Sequence, residues 1–253
     1  LRVLVCLKRV PELAEAELRP AADGLSVSGQ GLVYELNEWD AFALEWALRL
    51  IEQAGGELSA ASLGDEEDEE VLFRALAMGA GQAVRLHRAE RTWLDPAALA
   101  AALAELAGQI RPDLILTGVQ SADLGLAQVG VRLAAILGWP FATAVIGLEE
   151  VREGGLTVRR ELEGGLEERL EIDLPAVLTI QSNPHPPRYV SVLGIRKART
   201  RLLEVRPAEP AGPAGLSRLA GFRPVVKERA AAWLSQDPDE AARQLADLIR
   251  ERG

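Results

Sequence analysis

Cysteine is all but missing from the 253-residue chain: Cys6 stands alone, which excludes an internal disulfide and any multi-cysteine zinc or iron–sulfur site. The two histidines, His87 and His185, are too far apart in sequence to suggest a His-rich metal centre. No apolar run approaches the roughly 20 residues that cross a bilayer, and Leu1-Arg-Val-Leu-Val-Cys-Leu7 is too short for the apolar region of a signal peptide. Direct membrane insertion is therefore not expected, and the chain reads as cytoplasmic. Positive charge is also scarce, with 28 Lys and Arg against 38 Asp and Glu and a net charge of −10. Such a chain repels polyanions, so nucleic acid is not an expected partner. Lysine occurs three times and asparagine only at Asn37 and Asn183. Thermophilic adaptation through Arg-rich ion pairs and a GC-rich genome would each leave that bias.

What remains is a globular composition, 48% hydrophobic and 26% charged, which excludes extensive disorder. The first half alternates between strand and helix patterns. Arg2–Leu7 is a continuous apolar run, as in a strand buried on both faces of a parallel sheet. Asn37-Glu-Trp-Asp40 offers an N-cap for a helix whose Leu44, Ala47, Leu48 and Ile51 share one face. Leu58–Leu63 is a second strand. The acidic run Asp65–Glu70 suits the positive end of a helix through Val71–Met78, which Gly79 stops. Ala83–Leu86, Pro96–Gln109, Leu114–Thr117 and Leu126–Leu137 continue as strand, helix, strand and helix. The pattern predicts an α/β fold, a parallel sheet with helices on both faces. Ligands of such sheets sit beyond the carboxyl ends of strands near the topological switch point, so the loops after Leu7, Leu63 and Thr117 are the expected seat of chemistry.

Beyond Pro140 the pattern changes to extended stretches, Ala142–Glu150, Leu156–Leu162 and Leu166–Ile172, separated by Glu153-Gly-Gly155 and Glu163-Gly-Gly165, where glycine supplies the positive φ of hairpin turns. Ala176–Ile180 is a further strand, and Asn183-Pro-His-Pro-Pro187 a helix-free loop. Arg206–Pro224 reads as a proline-rich linker or surface arm. It leads to a helix over Pro238–Arg252 with Ala241, Leu245, Leu248 and Ile249 on one side. That helix suits wrapping around a partner chain or packing on its own domain. The division is thus an α/β domain over 1–205, with a hairpin region about 142–180 and a loop about 181–202, and a C-terminal arm over 206–253.

Gly118-Val-Gln120-Ser-Ala-Asp123-Leu-Gly125-Leu-Ala-Gln128-Val-Gly130 lies between strand and helix, where backbone amides can hold a phosphate. It is neither a Walker loop nor a GxGxxG fingerprint. The segment resembles the nucleotide loop of the electron-transfer flavoprotein beta (small) subunit, and the resemblance spans nearly the whole chain. Lys8-Arg9-Val10 is similar to that family's opening motif, Asn37–Asp40 to its helix start, and Arg74–Ala80 to a signature helix end. Val158–Glu167 with Leu174–Thr179 resembles its signature region, and Pro187-Arg-Tyr189 leading to Ile195–Ala198 continues the match.

The resemblance implies an adenine-nucleotide-hydrolase-like α/β fold and a heterodimer with a larger alpha subunit that holds most of a redox-active FAD. It further implies a structural AMP in this chain. Carried over by position, Cys6, Asn37, Glu38, Trp39, Asp40, Leu63 and Gln120, Ser121, Ala122, Asp123, Leu124, Gly125, Leu126, Ala127, Gln128, Val129, Gly130 and Val131 would line that site. It also implies a partner-recognition loop over Gln181–Leu202. Val190, Val192, Leu193 and Ile195 would supply an apolar knob there, with Tyr189 also recognising the partner, and Arg196, Lys197, Arg199 and Arg201 a cationic cluster facing acyl-CoA dehydrogenase-type donors. Electrons would pass on to a quinone oxidoreductase-type acceptor.

The sequence also departs from that pattern. Leu13 and Trp39 stand where relatives carry tyrosine and phenylalanine, and Val192 where leucine is usual, a methylene worth roughly 1 kcal/mol when buried. Gly165–Pro175 looks one residue long, as a bulge would make it. Ala127-Gln-Val-Gly130 leans toward bifurcating members, which bind a second FAD. Leu124, Leu126 and Gly138-Trp-Pro140 lean toward AMP, which is the expectation. An adenine-nucleotide hydrolase is the rival of another class, yet it needs a Ser/Gly-rich loop where this chain has Lys8-Arg-Val-Pro11. An interaction subunit without nucleotide is a further one. Cys6 inside an apolar strand reads as a small buried hydrophobe, and Glu161, Glu163 and Glu167 as a solvated hairpin.

Overall fold

The computed structural model describes residues 1–12, 19–25, 27–28, 31–87, 95–208, 217, 219–223 and 233–252. In chain order the elements are β1 (Arg2–Cys6), β2 (Arg9–Pro11), β3 (Tyr34–Leu36), α1 (Glu38–Ala54), β4 (Glu57–Gly64), α2 (Glu69–Met78), β5 (Gln82–His87), α3 (Pro96–Ile110), β6 (Leu114–Gly118), α4 (Val129–Leu137), β7 (Phe141–Arg152), β8 (Gly155–Glu161), β9 (Glu167–Asp173), β10 (Ala176–Ile180), α5 (Val192–Ala198), β11 (Glu204–Pro207) and α6 (Pro238–Arg252). A nine-stranded sheet runs β11-β5-β4-β1-β6-β10-β7-β8-β9. It is parallel from β11 to β7, and β8 and β9 add antiparallel to its end. This is the α/β architecture that the strand–helix alternation implies.

β1 shows why its sequence is apolar throughout. Val3, Val5 and Leu7 face one core with α1 and α2, while Leu4 and Cys6 face another with α3 and α4. Successive strand residues point to opposite faces, and both faces are covered. Leu4 is fully buried, so truncation to Ala would cost roughly 2–5 kcal/mol. Among the described residues no helix is long and apolar enough to cross a membrane, and no cluster of His, Cys, Asp and Glu is arranged to hold a metal.

Several local expectations need correction. The helix expected from Leu126 starts at Val129, because Ala127 at φ +52° breaks the turn before it. Asn37 occupies the N-cap of α1 but makes no side-chain cap. Its amide is spent across the sheet on the 118–130 loop. β9 pairs with β8 in unbroken register, so the extra residue before Pro175 makes no bulge there; the register shifts lie in β7, against β8 and against β10. The proline-rich stretch from Arg206 begins inside β11, an edge strand parallel to β5, where proline is tolerated because one side of the ladder is open. The small β2–β3 sheet was not evident in the pattern.

Candidate functional site

A cavity of about 380 Å³ opens at the carboxyl ends of β1, β4 and β6. The chain leaves β1 for β4 on one side, and β6 lies on the other, which is the switch point where sheets of this kind bind ligands. Its floor is Cys6, Leu7, Ser62, Leu63, Thr117 and Gly118, and α3 contributes Pro96, Leu99 and Leu103. Gln120, Ser121, Leu124, Leu126, Ala127, Gln128 and Val129 form the wall toward α4, with Asn37 and Asp40 at the start of α1. Leu25, Leu219 and Phe222 complete the lining from two distant parts of the chain.

The frame is a set of crossed hydrogen bonds. Lys8 N–H donates to Asp40 Oδ2 at 2.8 Å, and Gly118 N–H donates to Asp40 Oδ1 at 2.9 Å, so one carboxylate joins the ends of β1 and β6. Gly118 is required by that contact: a Cβ there would strike the carboxylate and the Cβ of Trp39. Gly130 is held as closely, against Thr117 and Thr179. Asn37 Nδ2 donates to Gln120 O at 2.8 Å, and its Oδ1 accepts from Ala122 N–H at 3.1 Å, fixing the loop after β6. Burial pushes the Asp40 carboxyl up to about 7, against the hydrogen bonding of Asn37, Gly118 and Lys8. Burial, with the charge of Asp40 adding to it, pushes the Cys6 thiol up to about 12. A thiol of that kind is protonated and inert at neutral pH.

Of the sequence-predicted site residues, Cys6, Asn37, Asp40, Leu63, Gln120, Ser121, Leu124, Leu126, Ala127, Gln128 and Val129 line the cavity. Glu38 and Trp39 lie in the first turn of α1 outside its lining. Ala122, Asp123 and Gly125 sit on the exposed outer side of the loop, and Gly130 and Val131 in the first turn of α4. Asp123 is engaged elsewhere: Lys8 Nζ donates to both of its carboxylate oxygens, at 2.7 and 2.6 Å, and approaches Ser121 Oγ at 3.3 Å. Lys8 lines the cavity as well, a placement that its position in the Lys8-Arg9-Val10 motif does not by itself announce. Leu25, Leu99, Leu103, Leu219 and Phe222 carried no signal beyond apolar character. Leu13 lies outside the described residues.

The 181–202 loop is held at both ends. Arg188 meets Glu45 and Glu52 of α1, with Nε to Glu45 Oε2 at 2.9 Å and Nη1 to Glu52 Oε1 at 2.6 Å. Arg201 donates to Ala80 O at 3.1 Å and Gly81 O at 2.7 Å just past the end of α2. Arg201 therefore belongs to the anchor rather than to a free cationic cluster. Between the anchors, Ser191 caps α5 through Gly194 N–H at 3.1 Å, and Ala198 is buried. Tyr189 is 88% exposed, Val192 67% and Leu193 75%, while Ile195 is half-buried. Arg196 and Lys197 are exposed and enter no ion pair among the described residues. Arg199 lies 6.0 Å from the Phe73 ring.

Comparison with known proteins matches residues 24–211 to the electron transfer flavoprotein domain. The chain is 36% identical over 207 residues to the electron transfer flavoprotein subunit beta of Methylophilus methylotrophus, covering 81% of this chain and 78% of that protein. It is 37% identical over 209 residues to the human subunit beta, covering 81% and 80%, and 31% over 210 residues to that of Dictyostelium discoideum, covering 83% and 82%. The chain belongs to the electron transfer flavoprotein family, as a beta subunit.

Proposed function

We propose that this beta subunit binds AMP as a structural ligand in the cavity at the ends of β1, β4 and β6. In this reading it pairs with an alpha subunit that carries most of an electron-relaying FAD. The single observation behind the site is the convergence of three strand ends and the 118–130 loop on one cavity, at the position where topology alone calls for a ligand. Its volume of about 380 Å³ lies within the roughly 300–1,000 Å³ of small-molecule sites.

The donor set fits a mononucleotide. Leu63, Leu99, Leu103 and Leu126 offer flat apolar walls to a base, and Gln120, Ser121 and Gln128 offer hydrogen-bonding groups. α4 begins without a side-chain cap, so its first N–H groups are available to a phosphate, and the Lys8 ammonium stands at the cavity in its pair with Asp123. FAD supplies one- and two-electron storage when bound. This chain's own part is to clasp the nucleotide, hold the 181–202 loop in place and present Tyr189, Val192, Leu193, Arg196 and Lys197 to a donor of the acyl-CoA dehydrogenase type. A quinone oxidoreductase-type protein would accept the electrons.

The test is the nucleotide inventory of the co-purified pair after denaturation, read by mass. One AMP and one FAD per complex supports the proposal. Two FAD and no AMP would place the protein with the bifurcating members.

A further inference from the structure

The cavity is not closed by the α/β core alone. Leu219 and Phe222 of the C-terminal arm and Leu25 of the 19–28 turn form its outer lining, and Leu219 and Phe222 lie beyond the residues 24–211 matched by the family. Two polar clips hold the arm there. Phe222 N–H donates to Gly24 O at 2.8 Å. Ser217 N–H donates to Asp95 Oδ2 at 2.6 Å, and the Ser217 hydroxyl donates to the same oxygen. Asp95 meanwhile caps α3 by accepting from Ala97 N–H at 2.7 Å, so one carboxylate starts the helix that walls the cavity and tethers the segment that roofs it. The hydrogen bond from Ser217 leads the effects that hold the Asp95 carboxyl below its ordinary range, so the acceptor stays ionised at neutral pH. The facing side belongs to the turn, which is itself braced by Gly24 N–H to Ala21 O at 2.9 Å and Ser28 N–H to Arg19 O at 2.7 Å.

Resting on the nucleotide reading of the cavity, we infer that residues 219–223, tethered through Ser217, are part of the binding site, a roof in which Leu219 and Phe222 cover a bound adenine nucleotide and govern its release. Two features support this. Phe222 and Leu219 are only half-buried although both line the cavity, so a flat apolar ligand would complete their burial. The backbone of these residues is also pinned at two points, Ser217 N–H on Asp95 and Phe222 N–H on Gly24, which holds the two side chains at the cavity. Burying an aromatic face against a base removes apolar area from water on both partners.

The experiment uses the intact two-subunit complex loaded with radiolabelled AMP and chased with unlabelled AMP. Ser217→Ala removes one hydrogen bond to a charged acceptor from an exposed position, and Phe222→Ala removes the covering ring. Each is expected to speed label release about tenfold, with Phe222→Leu intermediate and the flavin spectrum unchanged. Should Phe222→Ala fail to fold, Ser217→Ala carries the test. A wild-type complex that retains AMP while the variants release it at the wild-type rate overturns the roof and leaves the nucleotide reading standing. A wild-type complex that takes up no AMP overturns both.

Discussion

Arg188 folds onto the buried carboxylate of Glu45. Its Nε lies 2.9 Å from Oε2, its Nη2 3.1 Å from Oε1, and its own backbone N–H 3.1 Å from Oε2. Glu45 is 1% exposed and also accepts from Arg49 Nε at 2.9 Å. Burial alone would raise this carboxyl, but the hydrogen bonds from Arg188 outweigh it and hold the group below its usual range. The stabilisation is therefore present above the ordinary glutamate range and is lost as pH falls through the lowered value. Glu45→Ala leaves Arg188 without its main partner and opens a gap in α1. The expected cost is roughly 3–5 kcal/mol, seen as a Tm drop of about 10 °C for a domain of this size, and the 183–191 stem should become the first site of proteolysis.

Asp40 carries the opposite sign. Its folded value of about 7 stands above the ordinary 3.8, so between those limits the folded protein holds a proton that the unfolded chain has released. Its contribution to stability falls as pH rises from about 4 to about 7, by up to ~1.4 kcal/mol per pH unit, and the penalty is complete above that window. Asp40→Asn turns an amide donor toward one of two backbone N–H groups, which lowers stability at the acid end of the window, and it removes the slope. Chemical denaturation of both proteins across that window reads the difference. Parallel curves for wild type and variant would show that Asp40 is ionised throughout.

Much of the molecule was legible in the sequence, for a physical reason. β1, β4, β6 and β10 are buried on both faces, and that condition writes itself as runs of apolar and small residues. The position of the cavity was legible through the same logic, because three such strands ending together define a crevice. What escaped depended on contacts made across long sequence separations. β2 and β3 are three residues each and pair only because the chain closes on itself, and no periodicity survives in so short a strand. Asn37 looked like a helix cap and occupies that position, yet the better partners for its amide lie 83 and 85 residues away, at Gln120 and Ala122. Leu126 continued the apolar spacing of α4, and nothing in residue type announced the left-handed turn at Ala127. Phe222 and Leu219 sat in a stretch whose prolines and glycines read as linker, because hydrogen bonds from its backbone to Gly24 and Asp95 leave no trace in composition.

Lys8 and Asp123 separate two roles that a nucleotide site confounds, charge and scaffold. The pair is partly exposed, at 37% and 23% of the side chains, so breaking it costs ~1 kcal/mol of stability or less. Lys8 lines the cavity, whereas Asp123 does not. Lys8→Met removes the cation that would face a phosphate and should reduce the AMP retained per complex. Asp123→Ala keeps that cation and removes a carboxylate, so AMP content should hold or rise. Equal losses in the two variants, read by mass after denaturation, would mean that the pair braces the 118–130 loop and that its charge plays no part.

Arg196 and Lys197 are exposed and stand next to Val192 and Leu193 on the capped helix α5, on a chain whose net charge is −10. A local cationic patch on an acidic body attracts an acidic partner only in one orientation, because the rest of the surface repels it. Reversing both residues to Glu inverts the patch without touching Arg188, Arg201 or Ala198, which hold the helix in place. The reduction rate of the two-subunit complex by an acyl-CoA dehydrogenase-type donor should then fall roughly tenfold at low ionic strength. Added salt should slow the wild type and speed the variant, since screening acts on attraction and repulsion alike once the Debye length shrinks below about 10 Å. A rate indifferent to both the reversal and salt would assign docking to the apolar residues alone, and Leu193→Ala would then carry the loss.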